Sequence, residues 1–284
     1  MQIAMCHYSF HRRWQAEGWD PDRLCAETAA LGVPLLDLHT RLGERWLERT
    51  GEVAAALAKH RVGLAGVSFS NGFTQPDREA FDREVARVRG LIRQAAALGA
   101  RTARIFGGHL PENLRLDPRA RCTGLQQVAD GLGAVMPAAS EAGVTLALEN
   151  HGGLPGTSAE VLALLGAFPQ LRATIDLGNF LGVGEEPVHG AGVLAPHGAY
   201  VHVKWVRKIA DATSPWGWRI DSAQPGEGDV DLDGCFAALR RFGFTGTIAI
   251  EYEGKGDEQI GVPAAVAAVR AAVSRAWPAA AGAA

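Results

Sequence analysis

Cysteine is scarce in this 284-residue chain: only Cys6, Cys25, Cys122 and Cys235 occur, and no two form a Cys-x-x-Cys pair. That excludes a zinc knuckle or dithiol redox motif and reads as dispersed thiols in a reducing, cytoplasmic compartment. Long apolar runs are also missing. No stretch approaches about 18 apolar residues, and the opening MQIAMCHYSF lacks a basic lead, so neither a membrane span nor a signal peptide is expected. Excess positive charge is absent as well, with Lys+Arg 28 against Asp+Glu 31. A net charge of −3 gives no bulk field to hold nucleic acid.

What is present is globular usage, 47% hydrophobic with 35 glycines, in a length suited to a (β/α)8 barrel, which closes in roughly 250 residues. Short β-branched or apolar runs alternate with helical periodicity, the pattern of a parallel sheet. Strands are expected at 3–6, 35–39, 64–68, 102–107, 144–149, 173–176, 200–204 and 247–251. Helices are expected at 21–31, 44–60, 77–98, 117–142, 158–166 and 232–242, with Asp20-Pro21 and Ser158 as starts. Gly32, Gly99, Gly143 and Gly243 follow helical stretches as left-handed stops. The glycine-rich segment 182–199 leaves the sixth helix undefined. The reading is one α/β TIM barrel over 1–277, with 278–284 as a frayed tail.

In a parallel barrel every strand's C-terminal end opens on one mouth, so tip residues converge however distant in sequence. The tips carry His7, His39, Ser68, His109, Glu149, Asp176, His202 with Lys204, and Glu251. Three carboxylates and an imidazole on four successive strands would repel in a partly dry cleft unless a positive charge sat among them. Carboxylate and imidazole donors suit a divalent ion, and the absence of cysteine among them argues for an open catalytic site over a closed structural one. Each residue alone has a plainer reading: a solvated Glu, a buried His, an Asx-turn at Asp176.

The segments LALENHGG, ATIDLGNF, YVHVKW and IAIEYEG resemble the metal-bearing segments of the sugar phosphate isomerase/epimerase family, the xylose isomerase-like TIM barrels. The resemblance covers essentially the whole chain. It implies Glu149, Asp176, His202 and Glu251 as ligands of one divalent ion, Mn²⁺ first, with Co²⁺, Mg²⁺ or Zn²⁺ as alternatives. It also implies Glu149 and Glu251 as the acid and base of an isomerase or epimerase that works through an enediolate. A dehydratase of the inosose type starts from the same enediolate and is the alternative. An endonuclease IV-type repair enzyme shares the barrel, but Asn179 stands where its metal cluster expects a histidine. Ketose 3-epimerases of this family carry a Glu, a His and an Arg where this chain has Pro155, Asn179 and Lys208, so a standard enzyme of that kind is not expected.

Substrate contacts are expected from His7, His109, Asn150, His151, Asn179, Lys204, Lys208 and Trp216, the ligand being a small carbohydrate. Lys204 lies two residues after His202 and so on the same side of its strand. The stretch 205–229 is long for a barrel loop and reads as a lid or binding element, in which Trp216 and Trp218 stack on a sugar or pack the loop down. Trp14 and Trp19 invite the same two readings. Self-association as a homo-oligomer is left open by the sequence.

Overall fold

The structure, a computed structural model, describes residues 1–278. The segment expected to fray lies, from residue 279 onward, outside the described residues. Eight strands close a parallel barrel: β1 (Gln2–Cys6), β2 (Leu35–His39), β3 (Gly63–Ser68), β4 (Thr102–Ile105), β5 (Thr145–Glu149), β6 (Arg172–Asp176), β7 (Gly198–Val203) and β10 (Thr247–Ile250). Two further strands, β8 (Val206–Ala210) and β9 (Trp218–Ser222), form an antiparallel hairpin outside the ring. Neighbours in the ring follow β1-β10-β7-β6-β5-β4-β3-β2, so chain order is kept around the barrel. No helix among the described residues is long and apolar enough to cross a membrane.

The helices form where apolar residues recur at helical spacing. Over Arg78–Ala97 the buried positions Phe81, Val85, Val88, Leu91, Ile92 and Ala95 make one stripe, started by Asp77 accepting the Ala80 N–H at 2.7 Å. Gly99, Gly143, Gly32 and Gly243 all adopt positive φ after helices and turn the chain into the next strand. One expectation shifts: the helix expected at 44–60 begins as a 3-10 stretch, Glu44–Arg49, before Thr50–His60. The helix expected from Ser158 does start there, capped by Thr157, which forms the reciprocal pair with Glu160. The undefined sixth helix is Pro187–Leu194, started by Glu186.

Inside the ring the packing splits in two. Ala4, Tyr200 and Ala249 form a small cluster apart from the main core, and Tyr200 lies two residues before His202 on the same side of β7. Above that plug the interior is polar. Asp37 on β2 reaches His202 on β7 although β1 and β10 stand between those strands in the ring, so the contact crosses the barrel.

Gly66 on β3 leaves the room that Tyr200 needs: a Cβ there would stand 2.5 Å from the Tyr200 hydroxyl and 2.7 Å from the Thr102 carbonyl. Gly66→Val is expected to destabilise the chain by about 1–3 kcal/mol through overpacking. A urea-unfolding midpoint unchanged from wild type would contradict this.

Candidate active site

Hydrophobic strand runs end in polar tips at the carboxyl mouth. Glu149 closes β5, Asp176 closes β6, His202 is the penultimate residue of β7, and Glu251 follows β10. One ligand atom from each of Glu149, Asp176 and His202 lies within 4.8 Å of the others, and all three residues are buried. His202 Nδ1 has no hydrogen-bond partner, while Glu149 Oε2 and Asp176 Oδ2 face the cationic side chains of Arg104 at 3.1 Å and Lys204 at 3.0 Å. Asp176 does make the Asx-turn, its Oδ1 accepting the Asn179 N–H at 2.8 Å, and this leaves Oδ2 to the cluster. Glu251 stands just outside the tight triad, its Oε2 3.8 Å from His202 Nδ1.

The imidazole is oriented from behind. Ser68 donates its hydroxyl to Asp37, and Asp37 Oδ2 lies 3.4 Å from His202 Nε2, which turns Nδ1 toward Glu149 and Glu251. Burial opposes charge on His202, yet Asp37, Glu149 and Glu251 together lift its pKa to about 9. Burial also raises Glu149, to about 7, against the pull of Arg104 and His202. Glu251 goes the other way: burial would raise it, but Lys204, His202 and Arg104 outweigh burial and hold it low. The cluster stabilises positive charge at His202, and its donors are carboxylate oxygens and an imidazole nitrogen. A hard or borderline divalent cation fits that donor set.

The sequence reading left neutralisation to a metal alone, and here the structure adds two permanent cations. Arg104, on β4 and 2% exposed, places Nε 3.1 Å from Glu149 Oε2, Nη2 2.7 Å from His39 Nε2 and its guanidinium 3.8 Å over the Phe106 ring. Lys204 Nζ lies 3.0 Å from Asp176, 3.3 Å from Glu253 and 3.6 Å from Glu251. Arg104, Asp37 and Glu253 were not among the expected site residues. A charge inside the apolar runs TARIF and LLDLH, and a Glu two residues beyond Glu251, were the signals available.

Above this floor opens a cavity of about 550 Å³, lined among others by Glu149, His151, Asn179, Lys204, Trp216 and Glu251. His151 stacks on Phe106 at 3.9 Å, and Asn179 Nδ2 reaches Glu149 Oε1 at 3.4 Å. Four expected contacts lie elsewhere. Asn150 is fully buried and ties β5 to β6, exchanging hydrogen bonds with the Asp176 backbone at 2.8 and 3.0 Å; as Glu149's neighbour it faces away from the cleft. His7 is enclosed beneath the mouth, stacked 5.2 Å from Trp46. His109 is exposed outside the cavity, edge-on to His151 at 5.5 Å. Lys208 sits on β8 with Nζ 4.6 Å over Trp218 and its N–H bonded to Asp229. Trp14 and Trp19 take the packing role, against His7 and Phe10 respectively.

Removing one partner of a buried ion pair strands the other. Arg104→Leu is therefore expected to cost about 3–5 kcal/mol, and Arg104→Leu with Glu149→Leu less than the sum of the two single changes. Additive losses in a double-mutant unfolding cycle would contradict the coupling. Burial drives the pKa of His7 from 6.5 down to about 3. Above the unfolded value the ring is neutral in both states; below it the unfolded chain binds a proton that the fold refuses, so stability is lost as pH falls toward 3. His7→Phe should flatten that loss by up to about 1.4 kcal/mol per pH unit, read from urea unfolding between pH 7 and pH 4. An unchanged slope would contradict it.

A family model described as the xylose isomerase-like TIM barrel matches residues 25–274. No curated protein matches the sequence. Among solved structures, the IOLI protein with a zinc atom superposes with a TM-score of 0.76 at 13% identity, covering 97% of this chain and 98% of that one. D-psicose 3-epimerase with D-tagatose from Clostridium cellulolyticum H10 gives 0.74 at 14% identity, over 96% and 98%. The 3-keto-D-glucoside 4-epimerase YcjR from E. coli gives 0.73 at 16%, over 96% and 99%. At these identities the likeness is one of fold.

Proposed function

Because the chain belongs to the xylose isomerase-like TIM barrel family, we propose that it is a divalent-metal-dependent isomerase or epimerase of a sugar or sugar derivative. The observation that carries this reading is the buried triad of ligand atoms from Glu149, Asp176 and His202, converging within 4.8 Å of one another, with a second glutamate, Glu251, beside it. Zinc in IOLI and sugar substrates among the similar structures support the same chemistry. Glu149, Asp176, His202 and Glu251 would hold the ion; Mn²⁺ is our assignment, with Zn²⁺ the rival.

When bound, the ion supplies Lewis acidity next to the carbonyl, lowering the cost of removing the neighbouring C–H proton. The residues do the rest. Glu149 and Glu251 flank His202 and exchange a proton with the substrate carbon, one accepting and the other returning it. Lys204 faces the cavity with an ammonium able to donate to an oxygen where negative charge develops. Asn179 steadies Glu149 Oε1 and offers a substrate hydroxyl its amide. Asp37 keeps the His202 ring turned toward the cluster. The ligand is a small carbohydrate, and a cytoplasmic setting fits the dispersed free thiols.

In deuterated buffer with Mn²⁺, the chain should exchange the proton next to the carbonyl of its ketose substrate without loss of mass balance. Glu149→Gln and Glu251→Gln should each slow this by roughly 10²–10⁴-fold. NMR of recovered sugars checks both. Exchange undiminished in either variant, or independent of a chelator, sinks the mechanism, and net loss of water would identify a lyase instead.

A further inference from the structure

The cavity has two different regions. Its floor is the charged cluster, while one wall is the β8–β9 hairpin, presenting Trp216, Trp218 and Ile220. A single pyranose of twelve heavy atoms would fill about a third of the 550 Å³ at ordinary packing density. The cavity lining extends from the charged floor to the hairpin wall, which leaves room for a second group.

That wall is preorganised. Trp218 donates its indole N–H to the Leu181 carbonyl at 3.2 Å, and Lys208 covers its ring at 4.6 Å. Trp216 stands 6.1 Å from Trp218 between ring centroids, tilted by 41°. The hairpin is braced from below by Lys255 to Asp221 at 2.7 Å and by the Lys208 N–H to Asp229. Beside Trp218, the Trp216 indole with Asp211, Thr213 and Ser214, all lining the cavity, offers an apolar face with polar groups near it. A sugar ring has the complementary surface, C–H groups on its faces and hydroxyls around its rim.

Charge decides between a neutral and an anionic second group. The arginines on this side of the cavity already have carboxylates: Arg115 with Glu112 at 3.1 Å, Arg121 with Glu160, and Arg219 with Asp211 and Asp221 at 3.5 Å. Bidentate recognition of a phosphate needs a guanidinium free to turn toward it. Arg41, across the mouth and 5.5 Å over Tyr8, has no carboxylate partner among the described residues, but it belongs to the β2 side and not to the hairpin wall.

We propose that the cleft takes a neutral glycoside of at least two rings, with the reacting ring on the carboxylate floor and the next ring stacked on Trp216. This rests on the sugar isomerase reading for the inner ring alone. The outer subsite sets specificity: substrates that fill it gain binding that a monosaccharide cannot.

Calorimetric titration of the full chain, loaded with zinc chloride, against glucose, maltose, cellobiose, gentiobiose and glucose 1-phosphate tests this. At least one disaccharide should bind ten times or more tighter than glucose. Trp216→Ala should bring that disaccharide down to the affinity of glucose while leaving glucose within twofold, and Trp216→Phe should restore most of the difference. Disaccharides no tighter than glucose, or equal losses for both ligands in Trp216→Ala, overturn the proposal. So does glucose 1-phosphate binding tightest with the advantage erased by Arg41→Met. Trp216-dependent disaccharide binding without proton exchange on any sugar supports the outer subsite while removing the isomerase reading.

Discussion

Four carboxylates, Asp37, Glu149, Asp176 and Glu251, are buried at one end of the barrel, and compensating them is the constraint on which the site depends. Each would be costly alone in a low-dielectric interior. The chain meets the cost by placing opposite charge on neighbouring strands. Arg104 comes from β4, Lys204 follows β7, and His202 lies among acidic neighbours that favour its charged form. Two permanent cations against four buried carboxylates, with Glu253 at the rim as a fifth acid, still leave the cluster short of positive charge. An interior usually filled by layers of branched apolar side chains is here apolar only at its plug, Ala4, Tyr200 and Ala249.

The division of labour follows from how each part is held. Residues on barrel strands are fixed by parallel pairing on both sides, which suits groups that must meet within a few ångströms. The hairpin is an insertion between β7 and the following helix, pinned by a few side-chain contacts, and it can vary without disturbing the ring. On the proposed reading, chemistry would sit on the first and selectivity on the second.

Much of this was legible in the sequence because parallel strands buried on both faces read as apolar runs with polar ends. All eight barrel strands were located that way, and Glu149, Asp176, His202 and Glu251 followed from their tips. The errors share a cause. Asn150 and His7 are adjacent in sequence to strand tips, but a strand reverses side-chain direction at each residue, and a loop reverses it without rule. Arg104 and Asp37 escaped because a mid-strand charge makes sense only once its partner on another strand, Glu149 for the first and His202 for the second, is brought alongside. The hairpin was recognisable as a long insertion, yet its pairing was not, since Arg207, Lys208, Arg219 and Asp221 dilute the strand pattern.

The most direct measurement is an anomalous-scattering map from a crystal of the chain soaked in manganese chloride. The account predicts one ion per chain, bonded to oxygens of Glu149 and Asp176 and to Nδ1 of His202, with Glu251 completing the set. A map with no ion at saturating manganese, or with the ion bound away from these residues, would contradict it.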